Sequence, residues 1–218
     1  MNMNFSMTAK AMRPKSTILR ALGFLSLGGL MLIKAVAADV ARPDPDGYIR
    51  DWVILAPIAL PDGVDSGDLL LRRQIRDEAS LKPKAGDTVT VGGRTLTWRQ
   101  HTAPTNFFDF NAILNSQNDR MVGYAVAYVE CDREIPEVMM SVGSNDQGRI
   151  YFNGVDIYAV TEARPLMLDQ DKGKVTLKPG VNVIVFKIIN ESNSWQGAMR
   201  LTDRAGKPLS NVKIRLTP

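Results

Sequence analysis

The chain has 218 residues, with 27 Lys and Arg against 23 Asp and Glu, one Cys and one His. Its apolar share of 44% and charged share of 23% are ordinary for a globular protein and argue against a low-complexity or disordered chain. A single cysteine excludes an internal disulfide, and one Cys with one His argues against a transition-metal centre.

Residues 1–37 carry Lys10, Arg13, Lys15, Arg20 and Lys34 and no acid. An apolar run from Ala21 to Ile33 follows the first four of these, and Ala35-Val36-Ala37 precedes Ala38-Asp39. A basic start, a short apolar run and an Ala-x-Ala site are the parts of a secretory signal peptide. The run falls short of the about 20 residues that a spanning helix needs, so cleavage is expected after Ala37 or one residue later, with a retained anchor as the other option. The expected location is secreted or periplasmic. Five of the 27 basic residues lie in this leader, which leaves 22 basic against 23 acidic residues in the remainder. The net positive charge therefore belongs to the leader and gives no reason to expect nucleic-acid binding.

Residues 38–47 are rich in Pro, Asp and Ala and are expected as a flexible tail, with a single domain over 48–218. Ile49 to Ile58 is a dense apolar run ending near Pro57, as a buried first strand would be, with Trp52 in the core. Leu60 to Asp68 reads as a loop, and Asp68 to Leu81 as one short helix. Thr88 to Val91 and Arg94 to Arg99 flank Gly92-Gly93 and form a hairpin. Asn106 to Phe110 should lay Phe107 or Phe108 into a core. Met121 to Glu130 is a long strand with Val122, Tyr124, Val126 and Tyr128 on one face, and Ile135 to Gly143 is read as its neighbour. Cys131 follows as a small, part-buried strand residue. Ser144 to Gly148 and Asn153-Gly154 then supply two tight turns, and an Asn-Gly pair between alternating apolar runs is the strongest short-range hairpin signal. Thr161 to Asp171 is a longer connection. Val183 to Ile189 is an almost continuous apolar strand, and Gln196 to Thr202 and Asn211 to Leu216 close the chain. Ten to twelve short strands at this spacing predict an all-β antiparallel sandwich with one short helix.

Several stretches resemble a known family. Asp51 to Ile58 is similar to the opening strand of galactose-binding-like jelly-roll domains in secreted bacterial proteins. Leu96-Thr97-Trp98, Tyr124 to Val129, the Val142 to Gly154 stretch, Lys178 to Lys187 and Trp195 to Leu209 resemble the strands that follow, in the same order. The chain departs from the pattern at Ala56, Asn145 and Val181. The resemblance implies a jelly-roll β-sandwich of the kind often appended to glycoside hydrolases, some of which bind carbohydrate.

For chemistry, His101 is read as a loop histidine after a strand, since no Gly-x-Ser-x-Gly elbow accompanies it. Asp109, Asp119, Glu130, Asp132, Glu134 and Glu137 are carboxylates that a glycan-cleaving pair would draw on. Asn145 and Asp146, or Asp169 and Asp171, supply oxygens that suit Ca²⁺, although neither run matches a full Ca²⁺ loop. No cofactor is expected. A sugar site needs an aromatic face and a few hydrogen-bonding groups in a concavity. Trp98 and Trp195, with Tyr151 and Tyr158, are candidate platforms. Asn145, Asp146, Arg149, Asn193 and Arg200 are candidate polar partners. The reading is an exported non-catalytic domain binding carbohydrate or a cell-envelope component. A module recruiting another exported protein and a carboxylate-based glycan-active enzyme remain as alternatives.

Overall fold

The computed structural model describes residues 41–218, and the predicted leader and residues 38–40 of the predicted tail lie outside the described residues. In chain order the elements are β1 (Asp51–Ala59), α1 (Ser66–Leu71), a 3-10 turn (Glu78–Ser80), β2 (Thr88–Val91), β3 (Arg94–Thr97), β4 (Arg99–Thr102), β5 (Phe108–Asp109) and α2 (Phe110–Leu114). Then come β6 (Met121–Cys131), β7 (Ile135–Asn145), β8 (Gln147–Phe152), β9 (Val155–Val160), β10 (Asp171–Leu177), β11 (Gly180–Asn190), β12 (Gln196–Thr202) and β13 (Lys213–Arg215).

These form an antiparallel β-sandwich. The large sheet runs β4-β1-β6-β11-β8-β9, with β13 pairing the end of β6, and the small sheet runs β10-β7-β12-β5. The β2–β3 hairpin stands apart as its own pair. Residues 41–47, expected as a free tail, are tied down: Ala41 pairs with Ile214, and Arg42 donates to the carbonyls of Ser210 and Val212.

Alternation along the strands sets two cores. Ile184, Phe186 and Ile188 of β11 face the small sheet and join Trp52, Ala125, Met140, Val142 and Met199 in the central core. Val183, Val185 and Ile189 face the other way and join Tyr124, Val126, Tyr128, Leu69, Leu70, Ile75 and Trp98 in a second core. The large sheet is therefore buried on both faces, which is why β11 reads as a continuous apolar run.

Three local readings change in the folded chain. The stretch around Ser144 to Gly148 is no hairpin. β7 pairs with β10 and β12, β8 pairs with β11 and β9, and the chain crosses from one sheet to the other at Asp146. For the same reason β6 and β7 lie in different sheets and are not neighbours. Asn153-Gly154 does make the expected tight turn, with φ of 49° and 84°.

The predicted helix over Asp68 to Leu81 is interrupted. α1 starts on Asp65, whose side chain accepts from the Asp68 N–H, and stops at Leu71. The carbonyls that a continuing helix would use are already taken. Lys187 Nζ donates to Leu70 O (2.9 Å) and Arg72 O (2.6 Å), Arg149 donates to Leu71 O (2.7 Å), and Gln74 Nε2 donates to Leu69 O (2.9 Å). A second short helix, α2, was not expected. It is capped by the Asp109 side chain, which accepts from Ala112 N, and ends on the left-handed Asn115.

Candidate functional site

The residues picked from sequence do not form one site. Trp98 is only 3% exposed and packs in the outer core against Tyr124, ring centroids 6.5 Å apart. Trp195 is fully buried, donates Nε1 to Ile188 O (3.2 Å) and lies 4.5 Å from the Phe110 ring. A side chain on Gly123 would come within 2.8 Å of both Phe110 and Trp195, so that packing is closed. Neither tryptophan presents a face to solvent, which corrects their assignment as stacking platforms. Both indoles lie over large-sheet residues that other segments cover, and tryptophan in such a place contributes area to the core. Tyr151 is buried as well, with its hydroxyl on Glu78 (2.7 Å), and the half-buried Tyr158 donates to Asp171 (2.7 Å).

The two loops singled out, 144–148 and 191–196, do meet. Asp146 accepts from the Glu191 N–H (2.7 Å), and Gln147 Nε2 donates to Glu191 (2.6 Å) and to Ser66 Oγ (2.9 Å). Burial raises the Asp146 carboxyl above its ordinary range, while the Glu191 and Ser192 N–H groups hold it down. Asn145 turns away and donates to Arg164 O (3.0 Å). The buried oxygens Asn145 Oδ1, Gln147 Oε1 and Asn190 Oδ1 have no partner among the described residues. The three side chains bond separate segments, at Arg164, at Ser66 with Glu191, and at Asn118.

The remaining candidates are occupied by neighbours. Arg149 pairs with Asp156 and lies 5.0 Å over the Tyr151 ring. Arg200 pairs with Asp169 and lies 5.4 Å over the Tyr48 ring. The exposed Asn193 accepts at its carbonyl from Asn111 and Gln117. For calcium, Asp169 and Asp171 are each bonded to an arginine, Arg200 and Arg164, and a carboxylate so paired is a poor cation ligand. Among the described residues no group of three or more His, Cys, Asp or Glu is placed to hold a metal.

A different place has the form of a binding site. The large sheet ends at the four-residue β4 and the small sheet at the two-residue β5. Such short edges leave one flank of the sandwich partly open. His101 sits opposite Trp52 on β4, so its side chain shares that residue's inward face. A cleft of about 410 Å³ lies there, lined by His101, Thr105, Phe107, Asp109, Ile113 and Gln196 among others.

Its wall is mainly apolar, with half-buried Phe107 and Ile113. Its polar groups are held in place: Asp109 accepts from Ala112 N (3.1 Å) and from Gln196 Nε2 (2.9 Å). His101 Nε2 is buried without a hydrogen-bond partner among the described residues. Burial lowers the imidazole pKa below its usual value, against the opposing pull of Asp51, so the ring is neutral at pH 7. A neutral ring with an unpaired nitrogen is open to a hydroxyl or amide of a ligand.

The sequence held a signal for this cleft in Phe107-Phe108. Successive side chains on an extended segment point to opposite sides, so both rings cannot enter the core. Phe108 is 1% exposed and Phe107 takes the other side. Among the described residues no helix is long and apolar enough to cross a membrane. No protein-family model matches the chain, and no curated protein matches it.

Proposed function

We propose that this is an exported, non-catalytic binding domain of the galactose-binding-like jelly-roll kind, and that its ligand is a carbohydrate of, or reaching, the cell envelope. The observation that carries the reading is the flank cleft. A half-buried phenylalanine faces a cavity of about 410 Å³ beside an unpaired imidazole nitrogen and a fixed Asp109–Gln196 pair. A pyranose offers an apolar face to Phe107 and hydroxyls to His101 and Gln196, and a cleft with a few convergent polar groups suits such a ligand. Both Asp109 oxygens accept fixed hydrogen bonds, and among the described residues His101 bonds no hydroxyl or carboxylate, which supports binding over catalysis. The leader read from residues 1–37 supports export.

The test is a glycan array followed by calorimetry on the full chain. A saccharide hit should weaken at least tenfold in Phe107→Ala and in Gln196→Ala, about 1.4 kcal/mol of binding free energy. An array without a hit, or a hit indifferent to both substitutions, overturns the carbohydrate reading. A second reading, a module recruiting another exported protein, is supported by the edge strand β9. There Val155 is 62% and Ile157 39% exposed, and among the described residues β8 is its one partner strand. Capture of a specific exported protein that Val155→Lys abolishes would favour it.

A further inference from the structure

We infer a second binding surface, distinct from the flank cleft, on the outer face of the small sheet, and that it takes an acidic saccharide through the carboxylates of its sugars. Lys172, Ser141 and Arg200 stand directly opposite one another on β10, β7 and β12. Strands lie about 4.8 Å apart, so the two cations start about 10 Å apart with a hydroxyl between them. Inward residues of the same strands, Met140, Val142, Val175, Met199 and Leu201, fix this face as the outward one.

The face is a groove and not a flat solvated surface. Segment 165–168 closes one end, since the Met167 carbonyl lies 2.3 Å from where a side chain on Gly143 would begin. Tyr48, with the Arg200 guanidinium 5.4 Å over its ring, walls one side. The turn from Asp203 to Lys207 walls the other and brings in Arg204. The groove has a volume of about 280 Å³, and Ser141 at its floor is 4% exposed.

Its charge is one-sided. Lys172, Arg200 and Arg204 line it with Met139, Ser141 and Thr202, and no carboxylate is among the lining residues. Arg200 is locked to Asp169, which raises its pKa and holds it in position. Among the described residues Arg204 makes a single 3.3 Å ionic contact, to Glu137, and that carboxylate is shared with Lys174. Lys172 has no acid partner among the described residues, so Lys172 and Arg204 are the cations open to a ligand, while Arg200, held by both Asp169 oxygens and the Asp46 carbonyl, forms a fixed part of the wall. Arginine forks and lysine ammonium groups are the usual receptors for carboxylates.

The lining also selects among anionic partners. It offers no exposed aromatic ring on which nucleic-acid bases would stack. Its lining holds one large apolar side chain, the half-buried Met139, which is far less apolar surface than a bilayer anchor needs. Hydroxyls beside cations suit a polyhydroxylated acid.

Calorimetry of the full chain with oligogalacturonate tests this, with the methyl-esterified oligomer as the neutral counterpart. The acid form is expected to bind and the ester to bind at least tenfold more weakly. Lys172→Gln/Arg204→Gln, both at exposed positions, is expected to weaken the acid form at least tenfold while leaving the unfolding midpoint unchanged. The inference is overturned if the acid form does not bind, if acid and ester bind alike, or if the double variant binds as the parent does. It is equally overturned if phosphatidylglycerol vesicles bind and the oligomer does not, or if Phe107→Ala weakens the oligomer and the double variant does not. That last result would move the oligomer to the flank cleft and leave the carbohydrate reading standing.

Discussion

The outer faces of the two sheets meet opposite fates. On the large sheet the outward residues of β1, β6 and β11 lie under the excursion from Leu60 to Trp98 and form a second core. On the small sheet the outward residues Lys172, Ser141, Arg200 and Thr202, with Met139 beside them, line a groove. The difference is clearest at two lysines. Lys187 on β11 has no exposed side-chain surface, whereas Lys172 on β10 is exposed. A buried ammonium must be paired, and Lys187 is surrounded by Glu78 (3.3 Å) and the carbonyls of Leu69, Leu70 and Arg72. Glu78 in turn accepts from Tyr124 (2.6 Å), Tyr151 (2.7 Å) and the Gln74 N–H (2.9 Å). One face thus uses its lysine to fasten a covering segment, and the other keeps its lysine available to a ligand.

Removing the fastening lysine gives the largest expected effect. Lys187→Met leaves Glu78 as an uncompensated buried charge and should lower stability by about 3–5 kcal/mol in urea unfolding. Adding Glu78→Gln should restore part of that loss. A single variant as stable as the parent would break the contrast between the faces. Tyr124→Phe removes one donor to a charged acceptor and should lower stability by about 1.5–3 kcal/mol in the same assay.

The pH dependence of the closed face is smaller. Burial brings the Lys187 pKa down from 10.5 to about 8, with Glu78 opposing the shift. Between those values the unfolded chain keeps a proton that the folded chain has released. This group therefore makes stability rise with pH across that window, by at most about 1.4 kcal/mol per pH unit. The hydroxyls of Tyr124 and Tyr151 have pKa values raised by burial and by Glu78. Their contribution is present below their ordinary value of 10.0 and is lost above it. Urea midpoints at several pH values should show the Lys187 rise in the parent and not in Lys187→Met/Glu78→Gln. Lys172→Gln, on the open face, should change stability by no more than about 0.5 kcal/mol. A larger loss there would mean that the groove lysine is also structural.

Much of the strand pattern was legible in the residues. The apolar run of β11, the alternation of Val122, Tyr124, Val126 and Tyr128, and the Asn153-Gly154 turn each depend on neighbours a few positions away. The crossing at Asp146 was not legible, because period-two alternation assigns faces and leaves the partner strand open. The helix after Asp65 was half legible. Its cap is local, while its stop is set by Lys187 and Arg149, far along the chain. Trp98 and Trp195 illustrate the same limit in the candidate sites. An indole has equal reason to lie in a core or against a sugar, and only the segments packed over it decide. His101, Phe107 and Gln196 come from separate elements that converge because two short edge strands end at the same flank.

By itself the sequence determined that this chain pairs short antiparallel strands into a sandwich, since turn chemistry and side-chain period act over a few residues. The tertiary structure alone decided which strands share a sheet, which lysine is buried and which outer face remains open. Those outcomes depend on where the long excursion between β1 and β4 comes to rest. It covers the face of the large sheet and leaves that of the small sheet to solvent.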